Sequence, residues 1–444
     1  MREHRLLLRD IDIPDIERIE TYAGCGGYRA AEKALGEMSP GQVVEEVARA
    51  GLRNRGGDWR LLADSWRRKA AEGVEYLCID AHESEPGSFR ERKLIERHPH
   101  QLVEGIVLAG YALGARVAYV YIRDVMQRGK GLLQQAVDEA RARGFLGYDI
   151  LGTGYDLEIY LHAGAGTHVA GEPSAMLRAL EGRRAEPRDV RGSPTLFGRP
   201  VLVENAGTLM YLPHIVSQGG QWFRQRGTAD YPGTCVFCVS GHVRRPGLYE
   251  LELGSSTLRE LICDGAGGVR QGHMLKGVLA GGASSPVLRP EQLDVRLTPE
   301  DWMVPGGGDF PGVFGRGNII VMDETTCMVE AALDLMAFFA RESCGQCPSC
   351  RAGSRWLWQV LQRVEAGKGR TEDLALLESV AAQVAPLLCP GAVTLCSLGK
   401  SFAWSVQSFV QSFREEFEQH VETGRCPVDK DRSIKVPETV SVRF

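Results

Sequence analysis

The chain has 444 residues, 43% hydrophobic and 25% charged, proportions that exclude global disorder and leave room for about three domains. Lys and Arg number 52 against 57 Asp and Glu, a formal charge of −5 that gives no basic footprint for nucleic acid. Two counts stand out, 53 glycines and 12 cysteines.

The first ten residues are rich in charge and lack the apolar core of a signal peptide. No apolar run approaches the roughly 20 residues that a membrane span needs. A cytoplasmic, reducing setting is therefore expected, where clustered cysteines bind metal more readily than they pair. Any membrane contact would come through partner subunits, not by direct insertion.

Residues 76–80 read as the first strand. After Pro99, the residues Leu102, Val103, Ile106, Val107 and Gly110 recur at helical spacing. Residues 117–122 give a second strand, 132–143 a helix, 158–162 a strand, 171–181 a helix and 200–204 a strand. Strands alternating with helices predict an α/β fold with a parallel sheet covered on both faces. The pattern changes near Gly233. Residues 236–241 and 247–253 read as strands, and 257–264 as a short helix opened by Thr257. A loop-rich stretch to Gly317 follows, with the breaker runs Pro305-Gly-Gly-Gly and Pro311-Gly312. From Glu324 four apolar stripes at helical spacing run through Met336, Leu361, Val384 and Phe409, the fourth from Phe402 to Phe417. They predict a four-helix bundle. The expected organisation is 1–232, 233–323, 324–422 and a polar tail over 423–444.

The strongest site signal is Glu342-Ser-Cys-Gly-Gln-Cys-Pro-Ser-Cys-Arg351, in which Cys344, Cys347 and Cys350 form C-x2-C-x2-C. On one ideal helix these positions spread over about 120° of arc, so three thiolates would not close on one metal. Gly345 and Pro348 instead suggest a tight loop that opens a helix, whose free N–H groups can face sulfur. A fourth ligand must come from elsewhere, with Cys396 and Cys389 as candidates. Such a run with a distant Cys holds a [4Fe-4S] cluster; a four-thiolate zinc site is the alternative. Cys78, Cys263 and Cys327 lie in apolar contexts and read as packed side chains, and Cys25 and Cys426 stand alone.

Two glycine stretches could cradle a phosphate: Arg53-Asn-Arg-Gly-Gly57 and Gly164-Ala-Gly-Thr-His-Val-Ala-Gly171. The second is similar to a dinucleotide fingerprint with its third Gly two positions late. The turn His82-Glu-Ser-Glu-Pro-Gly87 follows the first strand, at the sheet edge where such folds bind ligands.

Taken in order, several segments resemble the NADH-binding flavoprotein subunit of respiratory complex I and its counterparts in NAD-dependent hydrogenases and formate dehydrogenases. They are Gly51-Leu-Arg-Asn-Arg-Gly-Gly57, Glu83-Ser-Glu-Pro-Gly-Ser-Phe-Arg90, Gly171-Glu172, Ser240-Gly-His-Val-Arg-Arg-Pro-Gly247, Val321-Met-Asp-Glu-Thr-Thr-Cys-Met328 and the cysteine run. The resemblance implies a Rossmann-like FMN and NADH domain, a ubiquitin-like β-grasp module of SLBB type and the bundle. It implies cofactor contacts at Arg55, Gly56, Gly57, Glu83, Ser84, Glu85, Gly171, Glu172, Asn205 and Thr208, with Glu85 helping to position nicotinamide. It also implies a [4Fe-4S] cluster on Cys344, Cys347, Cys350 and Cys396, which decides against Cys389. The partners implied are a thioredoxin-like [2Fe-2S] subunit and a large iron–sulfur subunit.

The chain departs from the family at ligand-contacting positions. Trp59 stands for a Gly, Arg60 for the Phe against which nicotinamide packs, and Ser65 for a Lys. Asp80 and His82 replace Asn and Asp, His168 a Tyr, Pro173 a Glu and Glu204 an Asn. The expectation is an electron-transfer subunit that keeps its cluster while ordinary FMN and NADH binding is weakened or lost. A working NADH dehydrogenase subunit and a zinc-stapled assembly subunit without redox chemistry are the alternatives.

Overall fold

The computed structural model describes residues 3–164, 166–189, 192–303, 314–385 and 394–428. Cys389, both breaker runs of the loop-rich stretch and most of the tail lie outside them.

The first sheet has the strands β1 (Tyr76–Ala81), β2 (Val117–Arg123), β3 (Glu158–Gly164), β4 (Thr195–Leu196) and β5 (Arg199–Asn205) in the order β3-β2-β1-β5-β4. All neighbours are parallel except the edge pair β4–β5. The β-branched and aromatic runs read from the sequence form these strands, because they bury their side chains on both faces of a helix-covered sheet. Strand order reverses between β1 and β5, so a crevice opens at their carboxyl ends.

The buried helix Pro99–Leu113 packs beside this sheet. Its Gly105 is required by a close approach, since a Cβ there would lie 2.3 Å from the Leu209 carbonyl oxygen. The same helix carries Glu104, only 1% exposed. Its carboxylate accepts from Tyr22 Oη at 2.5 Å, Tyr28 N at 2.9 Å, and Ala30 N and Ala31 N at 3.1 Å. One buried acid thereby ties down the N-terminal helices Ile19–Gly24 and Arg29–Glu37, which no sequence motif marks.

The second sheet has β6 (Thr234–Gly241), β7 (Gly247–Glu252), β8 (Leu275–Ala280), β9 (Val287–Leu288) and β10 (Asn318–Asp323) in the order β7-β6-β10-β8-β9. Its central pair β6–β10 is parallel and its other pairs antiparallel, the β-grasp arrangement. The stretch expected to be only loop after residue 264 thus contributes β8 and β9. Glycine and proline around these short strands hid their alternation.

The bundle follows as the helices Met328–Glu342, Pro348–Glu365, Asp373–Val384 and Leu398–Ser412. The fourth stripe is not one helix. The chain leaves helical geometry at Phe413 (φ −129°, ψ 32°) and resumes as Arg414–Thr423, so Phe417 enters the core from a fifth helix. Among the described residues, no helix is long and apolar enough to cross a membrane.

Glu104→Ala strands three amides and a phenol without their acceptor and is expected to cost about 3 kcal/mol. Glu104→Gln, which keeps one acceptor oxygen, costs less. Equilibrium urea unfolding of the purified chain measures both.

Candidate functional site

The crevice is built from the glycine loop after Leu52 and the carboxyl ends of β1 and β5. Asn205 ends β5 and caps the short helix Ala206–Leu209, its Oδ1 accepting Thr208 N at 3.1 Å. Thr208 Oγ1 accepts Arg55 N at 2.8 Å and donates to Asn54 Oδ1 and Asn205 Oδ1 at 3.1 Å. The loop is thus fixed to the helix start, with Gly56 against Asn205 and Gly57 in the left-handed region at φ +111°.

Arg55, Gly56, Gly57, Asn205 and Thr208 therefore meet in one place. Glu83 reaches the same corner, but its carboxylate accepts Ser88 Oγ at 2.6 Å, Glu91 N at 3.1 Å and Arg92 N at 3.0 Å, which holds the start of the helix Arg90–Arg97. Burial raises its pKa above the usual carboxylate range, and Glu91 beside it adds to the effect. Two expected contacts point to the second sheet. Arg55 donates to the Pro232 carbonyl at 2.7 Å and the Thr234 carbonyl at 3.2 Å. Glu85 accepts Ser284 N at 2.9 Å and Asn318 Nδ2 at 3.3 Å.

Three of the positions expected to depart from the family, Arg60, Ser65 and Glu204, bond to one another. Arg60 donates to Glu204 Oε2 at 2.7 Å, Ser65 Oγ at 2.7 Å and the Val203 carbonyl at 3.0 Å. Trp66 Nε1 donates to the other Glu204 oxygen at 3.0 Å. Burial raises the Glu204 pKa against the opposing pull of Arg60. Asp80 is paired as well, with Arg316 Nη2 at 3.0 Å, while Arg316 Nε donates to the Gly56 carbonyl at 3.0 Å. Arg316 was missed by sequence reading, because a single Arg between two glycines, 260 residues from Gly56, carries no pattern. His82 is buried beneath Gly171, its ring without a hydrogen-bond partner on another of the described residues, and burial pushes its pKa down to about 3.

Trp59 does not enter the crevice. Its backbone adopts φ +52°, and the indole is 2% exposed within the second sheet's core, against Phe314, with Nε1 donating to the Gly315 carbonyl at 2.9 Å.

On the opposite side, Gly171 and Glu172 lead into the helix Pro173–Leu180, which Glu172 caps by accepting Ala175 N at 2.9 Å. Ser84 Oγ meets His168 Nδ1 at 2.9 Å, and His168 N donates to Glu342 Oε2 at 2.7 Å. That bond leads straight to the cysteine run. Cys347 precedes the helix Pro348–Glu365, with Gly345 at φ +85° making the turn. Leu395 N donates to Cys347 Sγ at 3.3 Å, bringing in the neighbouring Cys396. Burial pushes the Cys396 thiol up to about 11, and the charges of Cys350, Cys344 and Glu172 reach it. Gln346 Nε2 donates to the Pro187 carbonyl at 2.7 Å. The four cysteines thus gather where the bundle touches the first domain.

Three family models match the chain in the same order as these parts. They are the Nuo51 FMN-binding domain over 47–214, the SLBB domain over 236–308, and the NADH-ubiquinone oxidoreductase-F iron-sulfur binding region over 330–420. An F subunit of NADH-quinone oxidoreductase from Rhizobium meliloti is 42% identical over 429 residues, which are 95% of this chain and 99% of that protein. The F subunit of the same enzyme from Mycobacterium tuberculosis is 41% identical, over 92% of this chain and 91% of that one. The crystal structure of an NAD+-reducing [NiFe]-hydrogenase in the H2-reduced state matches with a TM-score of 0.75 at 28% identity, over 96% of this chain and 68% of that chain. The fold is that of a flavoprotein-type domain joined to an iron–sulfur region. The chain belongs to the F-subunit family of NADH-quinone oxidoreductase.

The Arg60–Glu204 pair is asymmetric, with side-chain exposures of 31% and 0%. Arg60→Met leaves a buried carboxylate unpaired and is expected to cost about 3 kcal/mol at pH 8. The folded protein then holds the Glu204 proton to higher pH than the unfolded chain does, so stability falls as pH rises through that window and recovers toward pH 5. Unfolding midpoints at the two pH values measure the difference.

Proposed function

We propose that the chain is the iron–sulfur electron-transfer subunit of a complex-I-like oxidoreductase, with hydride chemistry at FMN weakened or lost. One observation carries this reading. Arg60, Ser65 and Glu204, three departures from the family, form one hydrogen-bonded unit, and a fourth, Asp80, is paired with Arg316 over the glycine loop. An ordinary flavin does not fit such a crevice. On this reading it would meet two charged pairs, each a buried carboxylate against a partly exposed arginine, and parting either would strand the carboxylate. The glycine loop, Asn205 and Thr208 persist as scaffold, with Arg55 N, Gly56 N and Thr208 N each donating to a side chain of the protein.

The cysteine set fits a [4Fe-4S] cluster in its chemistry: four thiols, a backbone N–H aimed at one sulfur and a helix start beside it. Cys344, Cys347, Cys350 and Cys396 would hold it. When bound, the cluster supplies single-electron storage and transfer. The chain's own part is to hold the thiols beside Glu172 and the His168 backbone, to exclude water with Leu398 and Phe402, and to tune the site by hydrogen bonds to sulfur. Its relatives carry the names of an NADH-quinone oxidoreductase and an NAD+-reducing hydrogenase. By the same resemblance we propose a thioredoxin-like [2Fe-2S] subunit and a large iron–sulfur subunit as partners.

Anaerobic purification tests the reading. The expected outcome is about four irons per chain with broad absorbance at about 400 nm, little FMN on acid extraction and no fast NADH-to-ferricyanide activity. Stoichiometric FMN with that activity would instead establish a working dehydrogenase subunit. Cys396→Ser is expected to lose iron and Cys389→Ser to keep it; the reverse would overturn the ligand set.

A further inference from the structure

A second set of metal-ligand side chains lies at the other end of the bundle. The helix Met328–Glu342 separates them from the first set, and its 15 residues span about 22 Å. Cys327 precedes this helix, and Glu365 ends the helix Pro348–Glu365. His420 lies on Arg414–Thr423, and Cys426 follows it. Cys327 Sγ is 3.4 Å from His420 Nε2 and 3.5 Å from Glu365 Oε2, and His420 Nε2 is 3.3 Å from Glu365 Oε2. With Cys426 Sγ, all four ligand atoms lie within 4.8 Å of one another.

These separations suit a tetrahedron. Zinc bonds of about 2.0–2.3 Å to nitrogen, oxygen and sulfur give ligand-to-ligand edges of roughly 3.3–3.8 Å. The surroundings suit a metal as well. His420 Nδ1 is 2.7 Å from the Glu416 carbonyl, so Nδ1 carries a hydrogen and Nε2 is the ring nitrogen that faces the other three ligands and would bind the metal once deprotonated. Glu330 N donates to Cys327 Sγ at 3.4 Å, and the helix start lies beside that sulfur. Cys327 and His420 are 2% and 1% exposed, while Glu365 and Cys426 are half-buried, so a metal would sit at the edge of the core.

We propose that Cys327, Glu365, His420 and Cys426 bind one structural zinc ion, separate from the iron–sulfur cysteines and independent of the state of the flavin crevice. Four protein ligands leave no open position, which makes the site a staple rather than a reaction centre. It joins the exit of β10, the ends of two bundle helices and the chain at Cys426. No local sequence pattern announces it, because its ligands are spread over about 100 residues.

Zinc and iron are measured together in the full chain purified anaerobically. The expected result is one zinc per chain alongside the iron. Cys426→Ser and His420→Ala should lower zinc by about tenfold or more with iron unchanged. Cys344→Ser should lower iron and leave zinc in place. X-ray absorption at the zinc edge should report two sulfur and two lighter ligands. Absence of zinc, zinc unaffected by Cys426→Ser, or zinc lost only with Cys344→Ser would each overturn the assignment. His420 is buried and its loss can unfold the bundle; Cys426 lies beyond the last helix, and its variant decides in that case.

Discussion

Three arginines between the two sheets, Arg55 and Arg90 buried and Arg316 half-buried, set the geometry on which the crevice depends. A guanidinium carries five N–H donors in one plane and stays charged when buried. It must therefore find carbonyls and carboxylates at fixed directions. Arg90 donates to the Arg316 carbonyl at 2.6 Å, the Arg55 carbonyl at 3.1 Å and Glu91 at 2.5 Å. Arg55 directs its donors to Pro232 and Thr234, and Arg316 directs its own to Gly56 and Asp80. Two of the backbones that accept from Arg90 carry the other two arginines. The glycine loop, the end of β1 and the start of β10 are thereby locked into one frame.

That frame explains what could be read from the sequence and what could not. The strands and bundle helices were legible because burial imposes periods of two and 3.6 on the residues themselves. The C-x2-C-x2-C run was legible because its ligands are local. Arg316, Glu104 and the group around His420 were not, since each acts on partners far along the chain. The break at Phe413 was hidden because Phe413 and Phe417 keep the helical spacing of their stripe on either side of it. Trp59 was legible as a departure from glycine, but its destination was not. Its left-handed backbone turns the ring out of the crevice and into the core of the second sheet.

The departures gain meaning from being paired. Glu204 without Arg60 would be a buried acid with no cation beside it, and Arg60 lies between Glu204 and Asp58. Together, with Ser65 and Trp66, they form a satisfied unit. The cysteine end shows no such replacement. The bonds from His168 N to Glu342 and from Gln346 to the Pro187 carbonyl hold the thiol loop directly against the first domain. The crevice thus holds internal charge pairs, and the bundle end carries four cysteines outside any disulfide.

The indole of Trp59 ties the crevice loop to the core of the neighbouring module. Glycine at that position would free the loop, but it would also remove a ring that Phe314 and Tyr231 pack against and leave a void in the neighbouring core. Changing this loop residue would require the module beside it to be refilled in the same step. The tryptophan acts as a ratchet: the site and its neighbour can now change only together.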